Sequence, residues 1–190
     1  MRVPVKAVAA VALSAVVAAV VGAGPDAGKP AAVFEGKDIL LRPDGYREWV
    51  FVGSSLGLSY EKGERKSERP DGPEYKNVYI DPAAYRAYKA TGKFPQGTVL
   101  VLETAAGDEK REPGLKGSYQ KEFTGLSAAV KDAERFEGGW GYFQFGGPER
   151  PKAKAQPAKK AACFDCHRQK AAEDNVFTQF YPVLRAAAKP

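Results

Sequence analysis

The stretch Cys163-Phe164-Asp165-Cys166-His167 holds both cysteines of this 190-residue chain and its only histidine. Nothing else in the sequence constrains the fold as sharply, because these scarce residues must share one side of one local element. A helix brings positions 163, 166 and 167 to one face, and the surrounding segment 158–172 is rich in good helix formers. A structural zinc site wants four Cys or His ligands, and the chain supplies three. A thioredoxin-like redox pair opens a helix that follows a strand, whereas a Pro/Ala/Lys stretch precedes this motif. The remaining reading is covalent haem c, with thioethers at Cys163 and Cys166 and His167 on the iron. Cys-x-x-Cys-His is the attachment signature, and it favours this reading over the other two.

The start of the chain agrees with such a cofactor. Arg2 and Lys6 precede an apolar run, Ala7 to Val21, broken only by Ser14, and small residues end it at Ala23. That is the order of a secretory signal peptide, and the run is short for a membrane span of about 20 residues. An uncleaved anchor is the alternative. The expected division is a signal peptide over 1–23, a flexible N-terminal segment over 24–33 and one haem c domain over 34–190. Export implies the periplasm, where haem c is attached and free thiols tend to be oxidised. Losing Arg2 and Lys6 takes the formal charge from +6 to +6 − 2 = +4. No Lys/Arg block is dense enough to suggest nucleic acid.

The usual second axial ligand of a cytochrome is missing. Haem iron takes His, Met, Cys or Tyr. His167 is the only histidine, both cysteines are committed to thioethers, and the only methionine is Met1, which leaves with the signal peptide. Tyr, Lys, water or nothing remains for the sixth position, with water or nothing the default. The expected iron is open to a small ligand, and the polarity of the distal pocket then decides what binds. An apolar pocket favours NO and CO over O2.

Strand-like alternation marks 48–53, 75–80, 97–103, 118–126 and 139–146, with turn chemistry between them at 42–45, 69–73 and 112–117. Asp81 as N-cap, Pro82 in the first turn and Gly92 at the end predict a helix over 81–92. Further helices are expected at 126–136, 158–172 and 180–189. The segments 61–72 and 149–160 read as solvated, the second as a tether to the motif helix. Strands first and the motif helix late give an α+β fold with an antiparallel sheet, a few helices and a haem-binding helix near the C-terminus.

With these elements in place, the chain resembles the cytochrome P-460 family, including the relatives called cytochromes c′-beta. The matching stretches are YREWVFVG, VYIDPAAYRAYKATGKFPQGTV, GLSAAVKDAERF, GWGYFQF, CFDCH and VFTQFYPVLRAA, in the family's order over most of residues 45–187. The resemblance implies a periplasmic homodimer with a β-rich fold and one five-coordinate haem c on a proximal histidine, here His167. Cytochrome P-460 itself oxidises hydroxylamine and carries an extra covalent bond from a lysine to the haem. The matching position here is Leu102, and the nearest lysines, Lys93 and Lys110, lie off either end of that strand segment. A distal glutamate of the family matches Ser127, a poor base without a partner. Both departures speak against hydroxylamine oxidation and for the c′-beta relatives, which bind NO at an apolar haem face.

Leu100 and Leu102 share a strand face and are candidates for the distal lining, together with Ser127 and the aromatic caps Phe51 and Phe143. Plain core packing is the competing reading for the aromatic pair. Lys76 is a candidate partner for a haem propionate, or a surface lysine. The expected function is a mono-haem c-type cytochrome that binds NO or CO. A hydroxylamine oxidase and an electron-transfer cytochrome with a separate redox partner protein are the alternatives.

Overall fold

The computed structural model describes residues 30–58 and 73–187. The expected signal peptide and the charged segment 61–72 lie outside the described residues. Five strands form an antiparallel sheet in chain order: β3 (Val50–Leu56), β4 (Glu74–Ile80), β5 (Val99–Glu112), β6 (Leu115–Lys131) and β7 (Trp140–Gly146). A smaller sheet joins β1 (Phe34–Glu35), β2 (Ile39–Leu41) and β8 (Lys154–Ala155). Three helices complete the described chain: α1 (Pro82–Thr91), α2 (Phe164–Lys170) and α3 (Pro182–Ala187). The fold is α+β and mainly antiparallel, as the element pattern predicts.

Strand β5 fixes where everything else packs. Its side chains alternate between two apolar layers. Leu100 and Leu102 join a cluster with Ile80, Tyr88 of α1, Phe164 of α2 and Leu184 of α3. Val99 and Val101 join another with Leu40 of β2, Phe143 and Phe145 of β7, and Ala155 of β8. The helices therefore cover one face of the large sheet and the small sheet covers the other. A continuous apolar run such as Val99–Leu102 reads as a strand buried on both sides, and that is its place here.

Helix α1 is set by its ends. The Asp81 carboxylate accepts from the Ala84 amide at 2.8 Å and, through its other oxygen, from the Val99 amide at 2.9 Å. Gly92 closes the helix in the left-handed region, φ 68°, where a side chain is strained. One aspartate thus caps α1 and ties it to the first residue of β5.

Three expected elements differ. The helix expected over 126–136 is the end of β6 followed by a turn. Leu126, Ala128 and Val130 alternate with Ser127 and Ala129 between the two layers, and both neighbouring strands bond to them. Pairing on both edges overrides the high helix propensity of Ala and Lys. The Asp132 carboxylate then accepts from the amides of Glu134 and Arg135, which tightens the turn. The segment 149–160 is not a free tether: it contains β8, Lys152 N bonds Phe145 O at 2.8 Å, and Ala158 N bonds Tyr142 O at 2.7 Å. Finally, the motif helix is shorter than 158–172. A 3-10 turn at Lys160–Ala162 leads into α2, which ends where Ala171 becomes extended.

Beyond the part that β4 and β7 cover, β5 and β6 continue as a two-stranded ribbon to the turn between Glu112 and Leu115. Leu115, Tyr119 and Phe123 on this ribbon are exposed.

Candidate functional site

The motif sits on the helical face of the large sheet. Cys163 is the N-cap of α2, and His167 N bonds Cys163 O at 3.1 Å. Phe164, between the cysteines, is buried and anchors the helix. Its ring lies over Gly138, where any Cβ would run into it; Gly138 also has φ 88°. A glycine here lets α2 approach the turn before β7.

The His167 imidazole is held on three sides. Its ring centroid lies 4.3 Å from that of Tyr142 on β7 and 4.6 Å from that of Phe177. Its Nδ1 lies 2.8 Å from the carbonyl oxygen of Asn175. A carbonyl only accepts, so Nδ1 carries the proton and Nε2 keeps its lone pair. Burial holds the imidazole below its ordinary range, opposed by the bond to Asn175, which keeps it neutral at neutral pH. A neutral histidine with one nitrogen tied to a backbone carbonyl and the other free is the usual form of a metal ligand.

The thiols are free of one another. Burial, with a smaller push from Cys166, raises Cys163 above its ordinary range. A redox nucleophile needs the opposite shift. Among the described residues no group of three or more His, Cys, Asp or Glu is placed to hold a bare metal ion. The donor set instead fits haem c: two thiols for the porphyrin edge and one oriented imidazole nitrogen, beside an apolar sheet face.

That face is built in rows by strand register. Leu100 stands between Ile80 and Ala129, and Leu102 stands between Val78 and Ser127. Opposed residues of antiparallel strands point to the same side. Leu102, Ala129 and Cys163 all pack against one cluster. The structure thus brings Leu100, Leu102 and Ser127 to the side that carries the motif. It does not bring Phe51 or Phe143 there. Phe143 is buried in the opposite layer, and Phe51 is exposed against Tyr79 on that same opposite face. Lys76 lies on the same strand face as Val78, paired with Thr104, and its Nζ donates to the carbonyl of Leu58.

The residues that hold His167 were not legible as candidates in the sequence. Glu173 and Val176 bridge antiparallel, and Val176 N bonds Glu173 O at 2.6 Å. Between them Asp174 has φ 42° and Asn175 φ 59°, the only non-glycine residues with positive φ among those described. Positive φ at both central positions is what a type I′ turn requires, and Asp and Asn tolerate it best. The available signal was the Asp-Asn pair itself. Tyr88 Oη donates to Glu173 at 2.7 Å, and Trp140 Nε1 donates to Asp174 at 3.2 Å.

No curated protein matches the chain. Residues 43–178, which run from the turn before the first long strand to the segment just past Phe177, match the family Cytochrome P460. The stretch includes the Cys-x-x-Cys-His helix, the leucine rows of the sheet and the turn that holds His167, so the chain belongs to the cytochrome P460 family and is a haem c cytochrome.

Proposed function

We propose that this protein is a periplasmic mono-haem c-type cytochrome whose iron takes up small ligands such as nitric oxide. Cys163 and Cys166 would carry the haem as thioethers and His167 Nε2 would bind the iron; the cofactor then supplies an open coordination site. The observation that carries the reading is the hydrocarbon row opposite the motif. Leu100, Leu102 and Ala129 present neither a ligand nor a base. Two tyrosines of this face are engaged: Tyr142 donates to Asn175 O at 3.4 Å and Tyr88 to Glu173. Burial pushes the Tyr142 phenol far above its ordinary range, so it stays protonated and ligates weakly.

The same row argues against hydroxylamine oxidation. Leu102 has no nitrogen to bond the haem, and its partner Ser127 has no carboxylate to accept a proton. Lys110 is held by Glu112 far out on the ribbon, and Lys93 follows α1. Export rests on the charged and apolar order of residues 1–23; among the described residues no helix is long and apolar enough to cross a membrane. A homodimer is supported by the ribbon, because an isolated two-stranded ribbon is marginal in water and this one exposes Leu115, Tyr119 and Phe123.

Absorption spectra of the oxidised, reduced and NO-treated protein test the reading. High-spin spectra and a nitrosyl complex of the reduced form are expected. A low-spin spectrum at neutral pH would favour electron transfer instead. A denaturing mass above polypeptide plus one haem c, pointing to a third covalent bond, would restore the oxidase.

A further inference from the structure

We infer that Asp174 is a positioning residue for the haem iron, acting through the Asn175 carbonyl on His167; this rests on His167 being the iron ligand. The path is continuous. Asp174 Oδ1 accepts from Trp140 Nε1 at 3.2 Å, and Oδ2 accepts from Lys131 Nζ at 2.6 Å. Both donors are fixed. Trp140 is buried, and Lys131 also donates to Phe94 O at 2.7 Å. Lys131 and Trp140 are themselves opposed across β6 and β7, so the clamp on Asp174 is part of the sheet.

Asp174 and Asn175 share one peptide, and both sit at positive φ. Such a turn is strained for non-glycine residues and persists where its surroundings over-determine it. Here the surroundings are the two sheet donors on Asp174, the Tyr88 bond to Glu173 and the bridge to Val176. Their joint effect is to aim one carbonyl at Nδ1. An imidazole that donates to a fixed acceptor is a stronger and better oriented donor at its other nitrogen. Asp174 therefore raises the electron donation of His167 and favours the oxidised iron, without touching the haem ligand itself.

The test uses the full-length exported holoprotein with Asp174→Ala, Asp174→Asn and Lys131→Met. Resonance Raman of the reduced form reads the iron–histidine stretch, and a redox titration reads the potential. Asp174→Ala is expected to lower the stretch frequency and to shift the reduction equilibrium toward the reduced state by about tenfold, or ~59 mV for one electron. Asp174→Asn keeps an acceptor for Trp140 and suits positive φ, so it should restore most of both readouts. Lys131→Met should fall between. Melting curves are recorded alongside. Lower melting temperatures with unchanged frequency and potential in all three would mean a purely structural role and would overturn the inference. If Asp174→Ala yields no holoprotein, the other two variants decide it by the same readouts. A wild-type protein without an iron–histidine stretch would instead remove the ligand assignment, a failure visible before any variant is made.

Discussion

The two faces of the large sheet are built from the same strands and solve different problems. The face under the small sheet is closed by aromatic side chains: Phe34, Phe136 and Phe143 meet with ring centroids 5.7–6.2 Å apart. Its one buried carboxylate, Glu103, is bound by Tyr46 Oη and by Arg47 Nε at 3.0 Å. On the helical face, aliphatic residues and a hydroxyl stand opposite the motif, and Leu102, Ser127 and Ala129 are only partly buried. The polar groups there are gathered behind His167 rather than in front of it. Because β5 alternates, odd positions serve one layer and even positions the other. The two can be tested separately.

The largest effect is expected at the motif. Cys163→Ser with Cys166→Ser should leave a protein with no haem after acid–acetone extraction, and His167→Ala should abolish the iron–histidine stretch; retention of either would break the assignment of this face. Next is Phe143→Ala on the other face. Removing a buried phenylalanine ring typically costs about 3–5 kcal/mol, so thermal melting should drop steeply while the absorption spectrum of the surviving holoprotein stays put. A changed spectrum would mean that the layers are coupled after all. Leu102→Ala should cost less, about 1–2 kcal/mol for a half-buried leucine, yet it should speed carbon monoxide binding several-fold in stopped flow. An unchanged rate would take Leu102 out of the ligand path.

The smallest effect concerns pH. Burial raises the Asp81 carboxyl above its ordinary range, against the lowering by the amides of Val99 and Ala84. The folded state then holds this proton more tightly than the unfolded chain. The contribution is fully present below the ordinary carboxylate range and is lost as pH rises through the raised folded value. Asp81→Asn removes that titration, so the slope of stability against pH in mild acid should become more positive. An identical slope would show that Asp81 does not titrate differently on folding.

Local chemistry made much of this legible. Asp81, Pro82 and Gly92 marked α1 to within a residue, because caps act through neighbouring amides. Five strand segments were visible from alternation and turn residues. Their lengths were not: β5 continues past Glu103 to Glu112 through a polar stretch that carries no apolar alternation. The 126–136 segment was misread as a helix because Ala, Val and Lys fit either state until both edges are paired. Leu100, Leu102 and Ser127 were placed together by register, whereas Phe51 and Phe143 were candidates only as aromatics, and parity put them on the far side.

By itself the sequence determined the chemistry of the cofactor site. It carries one histidine, two cysteines at the attachment spacing, and neither a further imidazole nor an internal thioether, and such counts do not depend on folding. Only the tertiary structure decided what surrounds that histidine. Asp174 and Asn175 lie on one turn and Tyr142 and Trp140 on β7, and nothing local ties a left-handed turn to an imidazole eight residues earlier. Strand pairing and the docking of α2 bring them together, because a carbonyl can be aimed at a ring nitrogen only once the sheet that holds its turn has formed.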